Sequence, residues 1–281
     1  KLHGKALSFN NFLDLDAAPS LCAYFEPPAF VIVKHNNPCG VAIGATLADA
    51  HRKARACDPI SAYCGVLAFN RPIDKEVAEE LHATFVEVVI APGYDEEGLA
   101  IMQQKEPVRI LSEEERRRTP AGERDYKKVL GGVLIQELDD GPDLRGSMEA
   151  VTQTKPTEAQ WDDMLFAWTV CRRVRSNAIV IAKDGATLGI GAGQMSRVDS
   201  VRLAVEKCRE ARPDEAAGLL ANSALASDAY FPFADGPELG IQAGVTAVIQ
   251  PGGSIRDDDV VAACDALGVA MVFTHHRHFR H

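Results

Sequence analysis

Residues 31–44 read VIVKHNNPCGVAIG, and residues 178–193 read AIVIAKDGATLGIGAG. Each passes from a β-branched apolar run through a polar turn into a second apolar run that carries glycines. FVIV (30–33), bounded by Pro28 and the Asn36-Asn37-Pro38 turn signal, predicts a buried strand. The echo continues downstream. VVIAPGY (88–94), a helix and VRIL (108–111) match AVIQPGG (247–253), a helix and VAMVF (269–273). Ser61-Ala62-Tyr63 resembles Ala229-Tyr230 in its local setting. Like order in both halves implies an internal duplication. Alternating strands and helices imply an α/β fold, with mixed sheets covered by helices in each half.

Between these anchors, GVLAFN (65–70) and VEVVIAP (86–92) predict strands, and 46–57, 74–82 and 95–104 predict helices. Thr46 is the expected N-cap of the first helix, with Asp49 three positions on. Residues 112–128, with SEEERRR, predict a solvated helix or loop, and GGVLIQEL (131–138) closes the first half. DDGPDLRGS (139–147) is dense in turn formers and is the expected linker, dividing the chain into units 1–145 and 146–281. Thr157 and Gln160 form a capping box for a helix on which Trp161, Met164, Leu165, Trp168 and Cys171 share a face, so both tryptophans belong to the core. Ser196 with Asp199 predicts a second capping box, for a helix over 197–210.

The 281 residues are 46% hydrophobic and 25% charged, with a net charge of −10. An acidic chain lacks the basic footprint of a nucleic-acid binder. No apolar run approaches ~18 residues, so no membrane span is expected, and KLHGKALSFNN at the start has no signal-peptide core. Seven cysteines without a CxxC pair read as reduced, buried thiols in a cytoplasmic protein.

Four stretches can carry chemistry. Lys34-His35-Asn36-Asn37-Pro38-Cys39-Gly40 puts a proton carrier and a cation at a strand end, where α/β sites form. A surface lysine beside a half-buried histidine remains the plainer reading. Zinc deaminases need H-x-E and P-C-x-x-C; His35 has no such glutamate and Cys39 no partner at +3, so no metal is expected. Gly189 to Arg197 follows Arg175-Ser176-Asn177 and offers close backbone approach and an anion-suited helix start, or simply a strand–turn–helix corner. Its G-x-G-x-G spacing is not a dinucleotide fingerprint. Ser227 to Asp235 sets aromatic residues around a proline beside two carboxylates, suited to a flat heterocycle or to packing alone. Thr274 to His281 gathers four histidines and two arginines. It reads as an anchored anion site, a frayed tail or an adventitious metal binder.

In combination and order, KHNNPCG, SNAIVIAKDG, GIGAGQMSR, SDAYFPF and the terminal RHFRH resemble the AICAR transformylase family, across essentially the whole chain. The resemblance implies two tandem cytidine-deaminase-like α/β units and a homodimer with active sites at its interface. It implies formyl transfer from 10-formyltetrahydrofolate, as cosubstrate, to the 5-amino group of AICAR, giving FAICAR, with no catalytic metal and with room for a monovalent cation such as K+. By resemblance, His35 is the proton acceptor, Lys34 the transition-state stabiliser and Asn177 a positioning group. Arg197, Tyr230, Arg277, Glu87 and Cys64 fall on the AICAR side, and Asp235, Ser254 and Ile255 on the folate side. Glu87 stands where the family has an acidic AICAR contact, and Cys64 where it has glycine. The upstream cyclohydrolase half and an RYGxNPHQ-type segment are absent from these residues, so no IMP cyclohydrolase activity is expected. The rival readings are a deaminase on the same fold and a non-catalytic purine-nucleotide-binding module, which would not need the Lys34-His35 pair.

Overall fold

The structure, a computed structural model, describes residues 1–113 and 122–281. The first half runs α1 (Phe9–Cys22), β1 (Ala29–Lys34), β2 (Asn37–Ile43), α2 (Leu47–Arg55), β3 (Val66–Phe69), α3 (Lys75–His82), β4 (Val88–Ala91), α4 (Glu96–Gln103) and β5 (Arg109–Ser112). A hairpin, β6 (Arg124–Val129) and β7 (Gly132–Glu137), follows. The second half runs β8 (Glu149–Ala150), α5 (Glu158–Cys171), β9 (Ile179–Lys183), β10 (Ala186–Gly191), α6 (Arg197–Ala211), α7 (Ala216–Leu220), β11 (Ser223–Ser227), α8 (Asp235–Ala243), β12 (Val245–Gln250), α9 (Asp257–Ala266) and β13 (Ala270–Phe273).

Eleven strands form one mixed sheet, ordered β5-β4-β3-β1-β2-β10-β9-β11-β12-β13-β8. Outward from the centre, 2-1-3-4-5 faces 10-9-11-12-13, so the two halves have the same strand order. The join is antiparallel and narrow, Ala186 opposite Ala42. There the Thr187 hydroxyl bridges to the next strand, accepting from Val41 N and donating to Val41 O at 3.0 and 3.1 Å. Alternation along the strands divides the core by face. α1 and α5 cover one face with Val31, Val33, Val180 and Ala226. On the other, α2 and α3 pack over the first half and α6 over the second.

The glycines of β2 and β10 let helices lie close. A Cβ on Gly40 would stand 1.9 Å from Ala54 O of α2, and one on Gly189 1.9 Å from Ala204 O of α6. Trp161 and Trp168 are buried in the core as expected, under the Thr157–Gln160 capping box.

Several expectations are corrected. Residues 124–129 form a strand, not a helix or loop, because the Leu130-Gly131 turn pairs them with β7; Gly131 takes a φ of +83° there. The acidic and basic run at 114–121 lies outside the described residues. GGVLIQEL, which closes the first half, supplies β7, paired with β6 in a separate two-stranded sheet and exposed along its length. α1, unanticipated, packs on β1 and β3. Ser196 makes no side-chain cap, and Asp199 pairs instead with Arg202. The position matching Ala229-Tyr230 is Arg71-Pro72, since Asn70 N donates to Ala29 O and Asp228 N to Ala178 O, each at 3.3 Å; Ser61-Ala62-Tyr63 precede β3 instead of following it. The expected linker is pinned by all three of its aspartates, Asp139 and Asp143 facing Arg172 and Asp140 facing Arg173.

Candidate active site

The β1–β2 turn consists of His35 and Asn36, both left-handed, with φ of +53° and +61°. That conformation matches the strand twist of a two-residue hairpin but costs non-glycine residues about 1–2 kcal/mol each. Asp14 of α1 offsets the cost. Its carboxylate is buried and accepts the His35 and Asn36 N–H groups at 3.3 and 2.7 Å. The strand ends at Lys34 and the chain reverses, so Lys34 and His35 do not point to opposite faces of a continuing strand. Lys34 Nζ donates to Tyr63 O at 2.8 Å, next to Cys64. That acceptor is neutral, and Lys34 has no ion pair among the described residues. His35 is exposed. A cavity of about 410 Å³ opens beside the pair, with Asp58, Ser61 and Lys207 on its wall. Cys39 also borders it, but burial pushes its thiol up to about 12, so it stays protonated and is no nucleophile at neutral pH.

Strand directions decide what shares this rim of the sheet. β3 runs antiparallel to β1, and β4 and β5 parallel to β3, so all three begin here. Across the antiparallel join, β10 ends here, β9 begins, and β11, β12 and β13 end. The rim therefore carries the loops of Glu87, Asn177, Tyr230, Ser254 and Arg277 together with the Lys34-His35 turn. Asn37 Oδ1 accepts the Arg175 N–H at 3.0 Å, tying the turn to the segment that carries Asn177.

Asn177 and Arg197 are in direct contact. Arg197 Nη2 donates to Asn177 Oδ1 at 2.8 Å and Nη1 to Ser227 Oγ at 2.8 Å. Nη1 also bonds the fully buried Asp228, which accepts from Ser176 Oγ as well. The arginine at the start of α6 is thus turned inward, with its charge matched by Asp228, rather than held out to an anion. Asn177 Nδ2 donates to Gln194 O at 2.9 Å. Tyr230 and Arg277 are exposed nearby in sequence to Asp228 and His278, whose backbones are joined, His278 N to Asp228 O at 3.1 Å.

The remaining positions make local contacts of their own. Glu87 is held by Asn11 Nδ2 at 3.2 Å and Arg109 Nη1 at 3.4 Å. Asp235 accepts its neighbour's Gly236 N–H, Ser254 Oγ accepts Arg256 N at 3.1 Å, and Ile255 is fully exposed. Between these loops the Arg256 guanidinium lies 5.0 Å from the Phe233 ring.

Among the described residues, Asp139, His276 and His278 converge as metal ligands would. Both ring nitrogens of His278 are taken by carboxylates, Asp139 at 2.7 Å and Asp143 at 3.1 Å. Ionised carboxylates can only accept, so with both aspartates ionised both ring nitrogens act as donors in this arrangement.

Sequence reading did not find Asp14; it included Asn37, Asp228 and His278 in its candidate stretches but not the contacts they make with Arg175, Arg197 and the Asp139–Asp143 pair. One signal existed for the first: Asp14 and Asp163 each stand 21 residues ahead of a hairpin turn, and Asp163 accepts from the Asp184 and Gly185 backbone as Asp14 does from its own turn.

An α/β enzyme-like scaffold with a Lys–His turn on a rim of convergent polar loops is the class these features define. A profile of the AICARFT/IMPCHase bienzyme family matches residues 1–207, and the chain belongs to that family. The bifunctional purine biosynthesis protein PurH of Parvibaculum lavamentivorans is 52% identical over 288 residues, 100% of this chain and 53% of the relative. The PurH proteins of Cereibacter sphaeroides and Rhodospirillum rubrum are each 52% identical over 285 residues, covering 99% and 100% of this chain and 54% of each relative. The chain spans about half the length of these curated relatives.

Proposed function

We propose that the chain transfers a formyl group from 10-formyltetrahydrofolate to the 5-amino group of AICAR, a step of de novo purine synthesis. The carrying observation is the Lys34-His35 turn: a cation on a neutral carbonyl and an exposed imidazole, both beside an open cavity. The AICAR amine is a weak nucleophile, its lone pair drawn into the ring and carboxamide. Attack on the formyl carbon places positive charge on that nitrogen and negative charge on the formyl oxygen, and N10 of the folate must leave with a proton. His35 takes the amine proton, directly or through the substrate carboxamide. Lys34 stabilises the oxyanion and supplies the proton to N10. Asn177, steadied by Arg197, places the reacting groups. Arg197, Tyr230, Arg277, Glu87 and Cys64 serve the AICAR side, and Asp235, Ser254 and Ile255 the folate side.

In this reading the units 1–145 and 146–281 are cytidine-deaminase-like, and the protein works as a cytoplasmic homodimer with an interface above ~2,000 Å². The exposed apolar residues Tyr126, Leu130, Leu134 and Ile135 on the β6–β7 hairpin support a self-association surface; a fully active monomer in sedimentation removes it. No residue set is assigned to a monovalent cation. No described helix is long and apolar enough to cross a membrane.

The deciding experiment is formyl transfer assayed with AICAR and 10-formyltetrahydrofolate, with zinc and chelator as controls. Product formation unaffected by chelator is expected. Binding of AICAR without transfer favours the nucleotide-binding module, and zinc-dependent ammonia release favours a deaminase.

A further inference from the structure

The His278 side chain is wholly enclosed where three segments distant in sequence meet. Asp139 and Asp143 of the connector flank its two ring nitrogens at 2.7 and 3.1 Å. Arg172, at the C-terminal end of α5, approaches the same carboxylates at 3.7 and 3.5 Å and donates to Gly141 O at 2.8 Å. The Trp168 ring lies 4.6 Å from the imidazole, and His276 faces Asp139 at 3.4 Å. Burial opposes charge on His278, but the two carboxylates outweigh it and the ring's pKa is raised. Burial likewise works to raise the Asp139 carboxyl, yet His278 and Arg172 bring it down to about 2. Two cations thus face two carboxylates, the balance a buried ionic cluster needs.

The tail carries this fixation to the rim. His278 N donates to Asp228 O at 3.1 Å, and Ser176 N donates to Arg280 O at 2.9 Å. Asp228 is the carboxylate that holds Arg197, and Ser176 adjoins Asn177. Arg277, one residue before the clamped ring, is left exposed on the rim.

On the basis of the formyl-transfer reading above, we infer that His278 is a positioning residue for the nucleotide: the Asp139–His278–Asp143 clamp fixes the C-terminal strip, and the strip sets Arg277. The ring itself touches no substrate. It acts through backbone bonds, so its loss loosens AICAR binding while leaving the Lys34-His35 turn, held independently by Asp14, intact.

The test uses the full chain with His278→Leu and His278→Gln, measuring kcat and the KM for each substrate separately. We expect the AICAR KM to rise about tenfold in His278→Leu, equal to about 1.4 kcal/mol of binding. A smaller rise is expected in His278→Gln, which keeps a donor for one carboxylate. The kcat and the folate KM stay within about twofold in both. An unchanged AICAR KM overturns the inference, and so does a loss confined to kcat. Where His278→Leu does not fold, Asp143→Asn takes its place with the same expected split. Tryptic cleavage after Arg277, followed without substrates, reads the clamp by itself and should quicken about tenfold in either variant. Cleavage unchanged by the substitution sinks the clamp; cleavage quickened by the substitution while the wild-type chain is inactive in formyl transfer sinks the functional reading instead.

Discussion

The two rims of the sheet are built from the same parts and carry different chemistry. Each has a two-residue hairpin turn with both residues left-handed: His35-Asn36 on one, Asp184-Gly185 on the other. Each turn is gripped by an aspartate of the preceding helix, Asp14 or Asp163. In both halves a helix cysteine reaches the first-strand segment, Cys22 to Ala29 O and Cys171 to Ala178 O, each at 3.6 Å. Asp-Gly is what the turn geometry itself favours; His-Asn is not. Asn70 and Asp228 occupy matching places beyond β3 and β11. Asn70 spends its side chain on local backbone, Ala29 N, Phe25 O and Pro27 O. Asp228 instead binds Arg197 and Ser176, beside Asn177. One rim keeps residues that serve the local backbone, and the other carries Lys34 and His35 and the Asp228–Arg197 pair in the matching places. The antiparallel join makes this possible, because it puts the first half's turn on the same rim as the second half's strand ends.

The sharpest way to break the contrast is substitution at matching turns. His35→Ala and Lys34→Ala are expected to lower kcat roughly 10²–10⁴-fold. Lys183→Ala and Asp184→Ala, on the opposite rim, should leave kcat within about twofold. Near-normal turnover in folded His35→Ala protein, or a comparable loss at Asp184, removes the distinction.

Next in size is the buried pair. Arg197→Ala strands the enclosed Asp228 carboxylate and should cost about 3–5 kcal/mol of stability, together with a marked loss of AICAR affinity as the Asn177 amide is released. Asn70→Ala, which leaves its backbone partners short of bonds, should cost about 1–3 kcal/mol and spare catalysis. Urea titration and AICAR calorimetry on both variants separate the two; unchanged AICAR affinity in Arg197→Ala excludes it from the nucleotide side.

The turn aspartate Asp163 sharpens the comparison through pH. Burial lifts the Asp163 carboxyl from 3.8 to about 6, against the pull of the Asp184 and Gly185 backbone bonds. A raised acid holds its proton in the folded chain where the unfolded chain has lost it. Its contribution to stability therefore falls as pH rises from about 4 to 6. Asp163→Asn should flatten that slope in denaturant titrations at pH 4.5 and pH 7; an unaltered slope contradicts the assignment.

The smallest effect is a gain. Replacing His35-Asn36 by Asp-Gly relieves left-handed strain and should add about 1 kcal/mol of stability while abolishing turnover. A loss of stability in that double variant would mean that Asp14 and the surrounding loops favour the original pair on packing grounds.

The sequence by itself determined the α/β class, the echo between the halves, the core tryptophans and a reversal after Lys34, though it set the turn at Asn36-Asn37-Pro38 where the structure has it at His35-Asn36, with Asn37 and Pro38 opening β2. These rest on local patterns: apolar period, turn residues and a repeat visible in one dimension. It misjudged residues 124–128, read as a solvated helix or loop, because a polar run reads alike whether it stays irregular or pairs in an exposed hairpin. Arg197 looked like a free cation beside a helix start, since nothing local announces that Asp228, 31 residues away, will neutralise it. Only the tertiary structure decided which loops share a rim, that Asp14 holds the His35-Asn36 turn, and that residues 139–143 and the C-terminal tail lock together at His278. Those are products of strand direction and of contacts between distant segments. A buried charge is settled by the partners that desolvation forces upon it, and the order of residues along the chain does not name them.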